Sequence, residues 1–80
     1  MERYSAELEG VARACLALGV DTTRCSTAAE LHRSVLAAGR ERLGYAGLAS
    51  LTAARVMRLT DDVIGDLASL VHKLAPYERN

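Results

Sequence analysis

Eighty residues and 8.6 kDa suffice for one small domain, taken as residues 1–80. Half the residues are apolar, a quarter are charged and the formal net charge is zero. That balance excludes a disordered chain and argues against one that holds nucleic acid by bulk charge. No apolar run reaches the roughly eighteen residues of a membrane span. Met1-Glu2-Arg3-Tyr4-Ser5 lacks the basic-then-apolar order of a signal peptide, so a cytoplasmic protein is expected.

The first helix is expected over about 5–18. Tyr4, Leu8, Val11, Cys15 and Leu18 recur three and four apart and form one apolar stripe. Ser5 suits the N-cap, Glu7 and Glu9 suit the first turns, and Gly19 stands where a left-handed C-terminal cap belongs. A loop, Val20 to Ser26, follows. Thr27-Ala28-Ala29-Glu30 has the spacing of a capping box, which opens a second helix over about 27–43 carrying Leu31, Val35, Leu36, Ala38 and Leu43. Gly44-Tyr45-Ala46-Gly47 fits a tight turn between antiparallel helices, the preferred reading, or a close-packing face inside one long helix. The third segment is expected over about 47–74. Leu48, Thr52, Val56, Leu59, Val63, Leu67, Leu70 and Leu74 keep helical spacing throughout, and Met57, Ile64 and Val71 add a second row. Pro76 should stop it. Thr60-Asp61-Asp62 offers a restart, with Thr60 as cap, which would make four helices of three. Unbroken from Leu48 to Leu74, the helix would measure roughly 40 Å.

The expected fold is all-α: three, possibly four, amphipathic helices in an antiparallel bundle completed by self-association. Two arguments point to association into a dimer or tetramer. Phe and Trp are absent, so the core gains little per side chain. Two short helices also cover a 40 Å apolar stripe poorly. The expected interface is therefore Leu48, Val56, Leu59, Val63, Leu67, Leu70 and Leu74.

Several constellations were weighed against plain structural roles. Cys15 lies on the first stripe and Cys25 in the loop; ten apart, they match no zinc spacing. His32 and His72 lack carboxylates at ligand spacing. Asp61, Asp62 and Asp66 form an acidic cluster, and an Arg58–Asp62 pair four apart would neutralise part of it. Arg33, Arg40, Arg55 and Arg58 form a basic set opposed between Leu31 and Thr60 by Glu41 alone, so they are the possible contacts for an anionic partner. Ala14, Cys15, Leu18, Gly19, Val20, Cys25 and Ala28 fit a helix-turn-helix, with a recognition helix starting near Asp21-Thr22-Thr23-Arg24; that is the alternative, a small DNA-binding regulator. No nucleophile–base pair, phosphate loop or metal spacing stands out, so neither an enzyme nor a cofactor is expected.

Thr27-Ala28-Ala29-Glu30-Leu31-His32-Arg33-Ser34, the Ala/Leu-rich helices through Leu74, and Ala75-Pro76-Tyr77 resemble the phasin family, small helical proteins that coat polyhydroxyalkanoate granules. The resemblance covers about Thr27 to Tyr77. It implies binding to an apolar surface and self-association, without catalytic residues. The expected function is thus a non-enzymatic, self-associating helical protein that packs an apolar stripe against itself, a partner helix or an apolar surface.

Overall fold

The computed structural model describes the backbone of residues 2–78 and the side chains of residues 6–77. Four α-helices follow one another: α1 (Glu2–Leu18), α2 (Ala28–Glu41), α3 (Ala46–Val56) and α4 (Ile64–Glu78). One-turn 3-10 helices at Thr22–Arg24 and Asp61–Val63 precede α2 and α4. No strand occurs among the described residues. None of the described helices is long and apolar enough to cross a membrane.

α1 buries Leu8, Val11, Ala12, Cys15 and Leu18, the stripe expected from its spacing. Tyr4, expected at its head, has its side chain outside the described residues. The helix begins at Glu2, so Ser5 is already inside it and is not the cap. Its C-terminus closes as expected at Gly19, whose φ is +75°. The Gly19 N–H donates to the Leu16 carbonyl at 3.2 Å and the Val20 N–H to the Cys15 carbonyl at 3.0 Å. These are the two bonds of a Schellman cap, which satisfies carbonyls left over at the helix end.

α2 opens on the capping box. The Thr27 hydroxyl accepts from the Glu30 N–H at 3.1 Å, and the Glu30 carboxylate accepts from the Thr27 N–H at 3.3 Å and the Ser26 N–H at 2.7 Å. Its buried face is Ala28, Leu31, Val35 and Gly39. The helix ends at Glu41, short of the expected 43. Leu43 falls in the following turn and is fully exposed rather than part of the stripe. Gly44, with φ +88°, makes that turn possible. Gly47 lies inside α3.

The expected helix over 47–74 is two helices. After Val56 the bonding tightens: Arg58 donates to the Arg55 carbonyl and Leu59 to the Val56 carbonyl, both three residues back. Thr60 is extended, with φ −93° and ψ 158°, and the chain turns. The longest dimension of the molecule is 35 Å, less than the rod would need. Thr60 stands at the cap position, but its side chain makes no capping bond. Pro76 does not end α4, which continues to Glu78. So close to the helix end, its missing N–H removes one late bond rather than breaking the ladder.

α2 packs most extensively on α3, and α1 on α4; α1 also contacts α3. One core cluster joins all four helices. The α2–α3 contact is closest at Gly39, where an added methyl would overlap the Ala49 side chain and stand 3.4 Å from the Tyr45 carbonyl oxygen.

Candidate functional site

The chain turn at 57–60 decides where the expected interface goes. Folding α4 back lets both halves of the long stripe face one core. Val56 and Leu67 are fully buried there and Val63 nearly so. Leu48, Leu59, Leu70 and Leu74 are half-buried against the same cluster. The single chain buries Val56, Val63 and Leu67 of the expected interface and leaves Leu48, Leu59, Leu70 and Leu74 partly exposed.

What remains outside is the far side of α3. Ala49, Thr52, Ala53 and Val56 take the inner face, and the buried Thr52 hydroxyl is satisfied by donating to the Leu48 carbonyl at 2.7 Å. Helical spacing then sets Gly47, Ser50, Leu51 and Ala54 together on the outer face, all exposed. Leu51 is 54% exposed, and Met57, just past the helix end, 57%. Met57 was expected beside Ile64 and Val71 in a buried row; those two are buried and Met57 is not. Arg55 is the one charged residue in α3.

The expected basic set divides. Arg33 and Arg40 project from the exposed side of α2. Arg55 and Arg58 line a cleft of about 800 Å³ between α1 and α3, together with Ala6, Glu7, Gly10, Val11 and Leu59. The expected Arg58–Asp62 pair does not form, because the two residues lie on opposite sides of the Thr60 turn. Ion pairs form instead between Arg13 and Glu9 at 2.7 Å and between Arg24 and Asp21 at 3.6 Å.

Sequence reading missed two long-range contacts. Asp61, grouped with the acidic cluster, turns its carboxylate to α2 and accepts the Ala28 N–H at 2.9 Å. Arg42 donates to the Ala17 carbonyl at 2.7 Å, placing a cation at the C-terminus of α1, and stacks 4.7 Å over the Tyr45 ring. Neither contact has a local signal, since the partners lie 33 and 25 positions apart. No cluster of three or more possible metal-ligating side chains occurs among the described residues.

Cys15 and Cys25 are both buried and both free thiols. Burial, reinforced by the neighbouring Cys25, pushes the Cys15 thiol up to about 12, which keeps it protonated and unreactive. The Cys25 sulfur lies 3.6 Å from the Ser34 hydroxyl. His32 is half-buried and His72 exposed. At Asp21, a hydrogen bond from the Thr23 hydroxyl at 2.5 Å holds the carboxyl below its usual range. That carboxylate also accepts from the Thr23 backbone and caps the single turn Thr22–Arg24. The recognition helix expected to start there is therefore absent: α2 begins only after Thr27.

The family models searched contain no match to this chain, and neither the curated proteins nor the solved structures yield one.

Proposed function

We propose that this chain is a non-enzymatic helical interaction protein that associates with a second copy of itself through the outer face of α3. The observation that carries the reading is the outer face of α3, where Leu51 stands 54% exposed among small residues with no charge before Arg55. The other helices present charged residues outward: Glu7 and Arg13 on α1, Arg33, Arg40 and Glu41 on α2, Asp66 and Lys73 on α4. α3 presents Gly47, Ser50, Leu51 and Ala54, and reaches a charge only at Arg55. An exposed leucine set among small, uncharged residues on a helix whose other face is already buried offers apolar area to a partner. Leu51 is the middle residue of Ala46–Val56, so two antiparallel copies would meet leucine to leucine, with small residues on either side letting the backbones approach.

The face is small. Eleven residues span roughly 16 Å, so the association is weak and concentration-dependent rather than obligate. An apolar surface of the kind that a phasin-like role implies would meet the same face. A cytoplasmic setting suits two free thiols.

Light scattering behind a sizing column tests the reading. The mass should rise above 8.6 kDa as concentration is raised. Leu51→Asp, a change at an exposed position, should hold the monomer mass with an unaltered helical spectrum. A monomer at every concentration, or association unchanged in Leu51→Asp, would overturn the proposal.

A further inference from the structure

We propose that the cleft between α1 and α3 binds a small amphipathic oxyanion: a carboxylate or phosphate head on a short apolar body. Its volume, about 800 Å³, falls in the range of small-molecule sites. Its lining divides by chemistry. Leu59, Ala6 and the bare backbone of Gly10 offer an apolar surface over the buried Val11, and Arg55 and Arg58 offer two guanidinium groups.

Arg55 stands in the last turn of α3 and Arg58 two residues past its end, and both line the cleft. Arg55 reaches across to α1, where its Nη1 atom stands 3.6 Å from the position a Gly10 side chain would begin. Neither guanidinium group makes a hydrogen bond or ion pair among the described residues. Arg55 and Arg58 bring two cations to the cleft against the single carboxylate of Glu7, and a bound oxyanion would balance that excess while accepting forked N–H donors. An apolar tail then lies along Leu59, Ala6 and Gly10. Glu7 lines the same cleft and opposes an anion, yet it forms no ion pair with either arginine. The carboxylate therefore sets a second, opposite expectation for mutation.

This inference does not rest on the outer face of α3, and its test is independent of self-association. The full chain is titrated with sodium octanoate and followed by amide NMR at a concentration where it is monomeric. Saturable shifts at Gly10, Arg55 and Leu59 are expected. The double variant Arg55→Gln/Arg58→Gln should weaken binding by about tenfold or more, the loss of one or two charge-assisted bonds. Glu7→Gln should tighten it. Octylamine keeps the tail and reverses the charge, and inorganic phosphate keeps the charge without a tail; both should bind more weakly than octanoate. Octyl phosphate against octanoate then separates the two head groups, and tighter binding by either supports the site. Octylamine or inorganic phosphate matching octanoate would overturn the proposal. So would equal octanoate binding by the double glutamine variant with an intact helical spectrum.

Discussion

Replacing Gly39 by alanine sets helix propensity directly against packing. Propensity alone favours the change by about 1 kcal/mol, because glycine is a poor helix former. Packing opposes it. The new methyl would overlap the Ala49 side chain and crowd the Tyr45 carbonyl oxygen. Neither neighbour can yield by rotating: one is itself a methyl, the other is backbone. Overpacking of this kind costs about 1–3 kcal/mol, and two rigid partners place it in the upper part of that range. The net loss should be about 1–2 kcal/mol after the propensity gain. In a domain of this size each kcal/mol moves Tm by about 4–8 °C, so thermal unfolding followed by helical circular dichroism should fall by roughly 5–15 °C. Moving the methyl across the contact, in Gly39→Ala/Ala49→Gly, cancels the propensity terms and should restore most of the lost stability. Gly65→Ala is the control: nothing stands within 4 Å of the added atom, so it should gain about 0.5–1 kcal/mol. The close α2–α3 approach would be refuted by a Gly39→Ala variant at least as stable as the parent. A double variant no better than the single would refute it too.

Other perturbations probe the long-range contacts and the buried thiol. Asp61→Ala leaves the Ala28 N–H without its acceptor and should lower the urea unfolding free energy by about 1–2 kcal/mol; an unchanged midpoint would mean the bond contributes nothing. Arg42→Ala removes the donor at the C-terminus of α1 and the stack on Tyr45, for an expected loss of about 0.5–1.5 kcal/mol in the same assay. Cys15 has a folded pKa raised from 9.0 to about 12, so its contribution is intact below 9 and disappears as pH rises towards 12. Over that interval the unfolded thiol ionises and the folded one does not, and stability should fall with a slope of up to about 1.4 kcal/mol per pH unit. Cys15→Ala should flatten the slope, and a slope identical to that of the parent would remove the thiol as its source.

Local signals were legible and long-range ones were not. The stripe from Leu8 to Leu18, the Gly19 cap and the Thr27–Glu30 box each depend on residues within a turn or two, and each stands as its spacing implies. The turn at 57–60 was offered only as an alternative because the hydrophobic period runs through it unbroken. Val56, Leu59 and Val63 keep helical spacing since both arms face the same core, and a shared core preserves the period even where the chain reverses. That one ambiguity carried the site with it. With an unbroken rod, Val56, Val63 and Leu67 demand a partner; with a turn at Thr60, they are covered by their own chain. Leu51 was then left outside the recognised stripe, although it is the large side chain that α3 actually exposes. Of the four arginines, Arg55 and Arg58 share a cleft because α3 packs on α1, a pairing of elements that no periodicity encodes.

The start of α2 is fastened twice, and the fastenings differ in reach. Thr27 and Glu30 are three residues apart, so their reciprocal bonds close as soon as a single turn has formed. Asp61 approaches from 33 residues away and cannot arrive until α3 has been laid down and the chain has come round. The first fastening belongs to the early part of the folding route and the second to its end. Asp61 therefore behaves as a latch: the chain reaches its native arrangement at nearly the same speed without it, but leaves that arrangement sooner.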